Sequence, residues 1–348
     1  MSTTKKDPSK PETIQDIAFK LAEEQLQQLQ LDNGPRERTV FILGSKNVGK
    51  TTVINSFFDR EEAPRPTLAL DYSYARKTAA VQKQICHIWE LGSLDRQLAE
   101  VPLRSQGMEN LSCIIMVDLS QPQRLWCDLK ESYEILRNYC DKLMVSKGDD
   151  DVSEREDKMR QRVKKDHVDL ATLNLMPFPV IIVGGKYDLF IGFEPEVKKH
   201  ICRCLRSMAH LMGGGLLFYS NKLQKLAKTL RDTISHLAFG SPSHPFRSHN
   251  TDYNDALSIW YGNDTWDNIS SMGVQTLQSI ESNINEEIPQ DFSSRQQEQK
   301  HQQQDPAKDP GFRESIIDEM RAQKDEELRL LVKDSMQKML RGKFESVK

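Results

Sequence analysis

The sequence predicts an α/β fold: a doubly wound, mainly parallel sheet around a phosphate-binding loop, with an N-terminal helix and a partly disordered helical C-terminal tail. Three observations predict it. Short apolar runs alternate with amphipathic stretches between Arg36 and Gly240, the pattern of buried parallel strands joined by helices. The spacing Gly44-x-x-x-x-Gly49-Lys50-Thr51 follows directly on one of those runs. Beyond Gly240 the composition turns to Ser, Asn and His and then to Gln, which marks solvated appendage rather than core.

Along the chain, residues 1–10 are polar and read as disordered. Pro11-Glu12-Thr13 opens a helix with Thr13 and Asp16 spaced like a capping box, and Asn33-Gly34-Pro35 stops it. Strands are expected at Thr39–Leu43, Thr67–Tyr74, Gln84–Leu91, Leu111–Leu119, Val180–Val183 and Gly215–Tyr219. Helices are expected at Thr51–Asp59, Pro122–Ser146, Glu194–Met212 and Asn221–Phe239. The charged run Lys147 to Asp166 reads as an inserted surface loop or exposed helix whose charges serve solvation.

The expected organisation is therefore a polar N-terminus and helix at 1–35, a P-loop domain at 36–240, a variable flexible linker at 241–308 and a docking helix at 309–348. That last helix, about Glu314 to Arg341, carries Ile317, Met320, Leu328 and Leu331 among many charges, and Lys324 interrupts its stripe. A helix this polar is marginal alone, so these four residues are expected to dock on a partner.

The formal net charge of −3 and pI near 6.3 do not describe a nucleic-acid binder. No run approaches the roughly 18 apolar residues of a membrane helix, and the start MSTTKKDPSK lacks an apolar signal region. No membrane insertion is expected, and the expected compartment is the cytosol. The six cysteines (Cys86, Cys113, Cys127, Cys140, Cys202 and Cys204) form no CxxC and read as reduced core thiols. Cys202-x-Cys204 beside His200 reads as helix packing rather than a metal site.

The loop has the context that phosphate binding requires. The strand Thr39–Leu43 runs into Gly44, and a helix is expected to begin at Lys50. Gly44, Asn47 and Gly49 let the backbone turn its N–H groups toward phosphate oxygens at a helix N-terminus. Lys50 is placed for the β- and γ-phosphates, while Thr51, followed by Thr52, offers a hydroxyl to Mg²⁺.

Further motifs resemble those of a Ras-like GTPase. Gly185-Lys186-Tyr187-Asp188 stands where N/T-K-x-D is usual, with Gly185 in place of Asn or Thr. The resemblance implies that Asp188 accepts from guanine and that Lys186 lies over the ring. Ser220-Asn221-Lys222 stands for S-A-K, and Thr67 for the switch threonine that joins Thr51 on Mg²⁺. The D-x-x-G motif is degenerate, because Gly92 is present while Trp89 holds the Asp position. Glu90 is one residue off register and is expected on the opposite strand face. No Gln follows to orient water, and Lys46 is expected to crowd the γ-phosphate. Efficient hydrolysis is not expected. No cofactor is required, although GDP or GTP with Mg²⁺ as a permanent core ligand is compatible with Lys50, Thr51 and Asp188.

The resemblance goes further. FILGSKNVGKTT, Pro66–Leu70 with Asp71-Tyr72-Ser73-Tyr74, HIWELG, VDLSQPQRLW, PFPVIIVGGKYD, LAFG and the tail KDPGFRESIIDEMRAQKDEEL are similar to the dynein light intermediate chain family, in its dynein-2 branch. That resemblance implies a non-catalytic subunit that binds the dynein-2 heavy chain tail and other dynein-2 subunits. It also implies work with the intraflagellar transport machinery in the cytoplasm, the cytoskeleton and the cilium, at axoneme and basal body. The competing class is an active regulatory GTPase that switches an effector.

Overall fold

Seven strands form one sheet in the order β2-β3-β1-β4-β5-β6-β7. They are β1 Glu37–Gly44, β2 Leu70–Thr78, β3 Lys83–Leu91, β4 Leu111–Asp118, β5 Val180–Gly185, β6 Gly215–Phe218 and β7 Ser258–Ile259. The pairs β1–β3, β1–β4, β4–β5 and β5–β6 are parallel, while the edge pairs β2–β3 and β6–β7 are antiparallel. The structure is a computed structural model. It describes residues 37–78, 83–105, 110–145, 157–164, 166–240, 249–270, 273–291 and 314–345.

Two-residue periodicity divides the core. Phe41, Leu43, Cys113, Ile115, Val117, Val180 and Ile182 face one side of the sheet. Val40, Ile42, Ile114, Met116, Ile181 and Val183 face the other. Because both faces are covered, the central strands carry unbroken apolar runs, and all of β4 is buried. The first face is covered by α2 (Arg96–Ser105), α3 (Pro122–Val145) and α5 (Pro195–Leu211). The second is covered by α1 (Lys50–Phe57) and α6 (Gln224–Phe239). Shorter helices are α4 (Tyr187–Phe190), α7 (Trp266–Ile269) and α8 (Leu277–Glu287), and residues 157–163 are also helical.

The expected doubly wound sheet is present, with several corrections. Thr67 lies in the loop before β2, because that strand starts at Leu70. Helix α2 was not expected; the Asp95 carboxylate opens it by accepting from the N–H groups of Gln97 and Leu98 at 2.8 and 3.0 Å. The insert is more than a solvated run. In its described part Met159 and Val163 are buried, and Arg162 donates to the carbonyls of Met176 and Pro177.

The boundary at 240 also moves. One unit extends to Asp291 and a second covers Phe292–Lys348. Residues 249–291 are not a flexible linker: β7 completes the sheet, Trp266 is 1% exposed, and α8 lays Ile280 and Ile284 on α5. The sparse aromatics there pack into the core, so low average hydropathy concealed a folded segment. The expected N-terminal helix and residues 292–313 lie outside the described residues.

The second unit contains α9 (Ser315–Glu345), longer at its C-terminal end than expected. Ile317, Met320, Leu328 and Leu331 are 58%, 62%, 60% and 59% exposed. All six cysteines are free and buried. Among the described residues no helix is long and apolar enough to cross a membrane.

These burial differences give a direct test. Phe41→Ala should lower unfolding stability by about 3–5 kcal/mol through cavity formation. Leu330→Ala, at an exposed position of α9, should change it by less than about 0.5 kcal/mol. Urea unfolding of both variants checks the contrast.

Candidate functional site: a phosphate cradle

The candidate site lies where β1, β3, β4 and β5 end, at the carboxyl edge of the parallel sheet, where α/β folds place ligands. Gly44 ends β1 with φ 151°, and a Cβ there would stand 2.3 Å from the Met116 carbonyl oxygen. Only glycine lets the loop leave the sheet so close to β4. Asn47 has φ 60°, and Gly49 has φ 105° and caps α1. Successive turns of this kind make an anion-binding concavity of backbone N–H groups.

Lys50 opens α1 and is 4% exposed. Its Nζ donates to the carbonyls of Gly44 at 2.9 Å and Ser45 at 2.7 Å, with Gly92 O at 3.4 Å. Burial lowers its pKa to about 8, opposed by the charges of Glu90 and Asp128. Lys46 is exposed, in a different environment from Lys50.

Glu90 sharpens the sequence reading. It lies on the strand face opposite Trp89, as its register requires, and that is the face that meets the loop: it is 2% exposed and accepts from Thr51 Oγ1 at 2.7 Å. Its place in β3 explains this: Ile88 shares its face, whereas Trp89 packs toward the other side of the sheet. The off-register residue is therefore the one that reaches the loop, and Trp89 turns away to pack at a tilt against Tyr72, ring centroids 4.8 Å apart. Burial pushes the Glu90 pKa up, while the hydroxyls of Thr51 and Thr67 and the Lys50 ammonium oppose it. Thr67 Oγ1 stands 3.5 Å from Thr51 Oγ1. Gly92 is packed so that a Cβ would lie 2.4 Å from the Thr67 carbonyl oxygen. Thr52 is half-buried in the first turn of α1.

At the other end of the site, Lys186 has φ 58° and its Nζ lies 2.6 Å from Asp118 Oδ2. Asp188 Oδ1 accepts from Ser220 Oγ at 2.7 Å, and its Oδ2 is 2.7 Å from Lys222 Nζ. The bonds from Lys222 and Ser220 hold the Asp188 pKa below the usual carboxylate value. Gly185 has a local cause, since a Cβ there would stand 3.1 Å from the Val48 carbonyl oxygen of the loop. Asp118 escaped the sequence reading. Its signal was an acidic residue ending the apolar run Leu111–Val117.

The residues fit a nucleoside phosphate with its cation. The loop supplies inward-facing backbone and a buried ammonium. Glu90 Oε2 is buried without a hydrogen-bond partner beside the Thr51 and Thr67 hydroxyls, an all-oxygen donor set that suits Mg²⁺. The two motif residues for a guanine, Lys186 and Asp188, stand together with Ser220 and Lys222. Cys202 and Cys204 are buried in α5, as packing required.

Comparison with known proteins follows this geometry. The family model "Dynein light intermediate chain (DLIC)" matches residues 23–173. A Bos taurus protein named Cytoplasmic dynein 2 light intermediate chain 1 is 37% identical over 311 residues, covering 84% of this chain and 86% of its own length. The chain belongs to the dynein light intermediate chain family. The Homo sapiens and Danio rerio proteins of the same name are 35% and 34% identical over 311 and 310 residues. The crystal structure of the Dynein Light Intermediate Chain's conserved domain superposes with a TM-score of 0.51 at 18% identity, covering 78% of this chain and 99% of that one. That likeness establishes the fold that the family shares.

A dynein light intermediate chain that buries Lys50 makes its stability depend on pH in a defined direction. A lysine whose pKa is lower folded than unfolded opposes folding fully below about 8, and the opposition relaxes as pH rises to 10.5. The cost at neutral pH is roughly 3 kcal/mol. Lys50→Met should therefore remove a gain in stability that the native protein acquires between those pH values. The check is the difference between the two unfolding curves across that range, which cancels the tyrosines and cysteines that also titrate there.

Proposed function

We propose that the chain is a non-catalytic accessory subunit of the cytoplasmic dynein 2 motor complex. It binds and stabilises the heavy chain tail for retrograde intraflagellar transport and cilium assembly, in the cytoplasm and cytoskeleton and in the cilium at axoneme and basal body. The observation that carries this reading is the match to cytoplasmic dynein 2 light intermediate chains along 84% of this chain and 86% of the relative. Other dynein-2 subunits and the intraflagellar transport machinery are its wider partners.

In this reading the phosphate cradle is a scaffold element. A bound GDP or GTP would be held through Gly44, Asn47, Gly49, Lys50 and Thr52, with Mg²⁺ on Thr51 and Thr67 and Glu90 behind them. Gly92 would close the loop side, and Lys186, Asp188, Ser220 and Lys222 the base side. Such a ligand adds core contacts and stabilises the folded state by mass action. The degenerate G-domain does not hydrolyse it efficiently, because Trp89 packs toward the helical layer and the D-x-x-G motif contributes no water-positioning glutamine.

GTP turnover should equal that of Lys50→Ala, and chromatography after denaturation should release guanine nucleotide from the native protein alone. Robust turnover that depends on Lys50 would instead make the protein a regulatory GTPase. The exposed Ile317, Met320, Leu328 and Leu331 of α9 support docking on the heavy chain. Deleting residues 309–348 should reduce heavy-chain recovery from ciliated cells several-fold. Undiminished recovery would assign the grip to the nucleotide-fold domain, and a native chain that recovers no heavy chain would refute the accessory-subunit reading.

A further inference from the structure

We propose that His167, Asp169 and His210, none of them a residue of the phosphate cradle, form a zinc-binding site. Their ligating atoms all lie within 4.8 Å of one another. Two imidazoles and one carboxylate are a zinc donor set that leaves a fourth position for water. His210 comes from the last turn of α5, and the other two from the turn that follows the helical residues 157–163.

The closest pair of donors stands near zinc-ligand spacing. His210 Nε2 stands 2.9 Å from Asp169 Oδ2. Zinc bonds of about 2.0–2.1 Å at tetrahedral angles hold ligands about 3.3–3.4 Å apart. Replacing the bridging proton by zinc therefore needs a widening of about half an ångström.

His167 is oriented for the role. Its Nε2 is 2.9 Å from the Asp264 carbonyl oxygen, which assigns the proton to that nitrogen. Its Nδ1 then presents a lone pair that, among the described residues, accepts a long hydrogen bond from the Asp169 N–H at 3.2 Å, which zinc would replace. A carbonyl behind the non-ligating nitrogen is the usual support of a zinc-bound imidazole.

The other two groups are held from outside the cluster. The Trp266 N–H donates to Asp169 Oδ2 at 3.0 Å, and the Trp266 indole meets the His210 ring edge-on at 4.7 Å. Arg206, a cation beside the site, directs Nε and Nη2 at Asp264 at 2.8 and 2.7 Å, a bidentate pair that neutralises its charge locally. The adjoining cavity, lined by Val163, Arg206, His210, Gly213, Gly262 and Asp264, has room for about one water, the size of a fourth ligand. The ion would staple the 166–172 turn to α5 and to the segment that begins α7.

The test uses the full chain, stripped with a chelator and then titrated with Zn²⁺, with Co²⁺ as the spectroscopic probe. About one equivalent of zinc should survive desalting, and saturating zinc at a hundredfold excess over Kd should raise Tm by roughly 5–10 °C. The Co²⁺ spectrum should show tetrahedral nitrogen and oxygen ligation without a thiolate charge-transfer band. His167→Gln, which keeps a donor for the Asp264 carbonyl, and Asp169→Asn should each abolish retention. A native chain that retains no zinc, equal retention by both variants, or a thiolate band reporting the buried cysteines overturns the proposal.

Discussion

A single ammonium, that of Lys50, sits almost entirely out of water where four strands end, and the surrounding chain is organised around keeping it there. Three carbonyl oxygens, from Gly44, Ser45 and Gly92, face it. Two of those residues are glycines, and at both a side chain would collide with backbone of a neighbouring segment. Burying a charge is tolerable only with such partners. The close approaches of β1 to β4 and of the Thr67 loop to Gly92 follow from the same requirement.

That arrangement explains how a degenerate motif coexists with an intact cradle. Glu90 supplies the carboxylate at the Thr51 hydroxyl from one position later than D-x-x-G prescribes, and Trp89 is released to pack against Tyr72 and the helical layer. Electrostatic complementarity to the loop is kept, while the position that the family uses for metal and water becomes part of the core.

Much of the fold was legible in the sequence. Strands β1, β4, β5 and β6 have centres buried on both faces and so read as continuous apolar runs. Glycines with special backbone angles left the spacing of the phosphate loop, and the lysine, aspartate and serine of the base motifs stood at recognisable distances. What escaped was whatever depended on a distant neighbour. Helix α2 contains Pro102 in its interior, a residue that argues against a helix there. Residues 249–291 are polar on average, but Trp266, Ile280 and Ile284 find a complementary face on α5. Asp118 gains its meaning only from Lys186, 68 residues later.

By itself the sequence determined the fold class and the phosphate loop, because both are written in local periodicity and spacing; the family came from the resemblance of whole motif stretches. Tertiary structure decided that the Glu90 side of β3 meets the phosphate loop, the extent of the domain to Asp291 and the meeting of His167, Asp169 and His210. The physical reason is the same in all three. Strand register, the docking of weakly apolar segments and the assembly of a polar cluster are set by what packs against a residue, and in a parallel sheet those partners lie far along the chain.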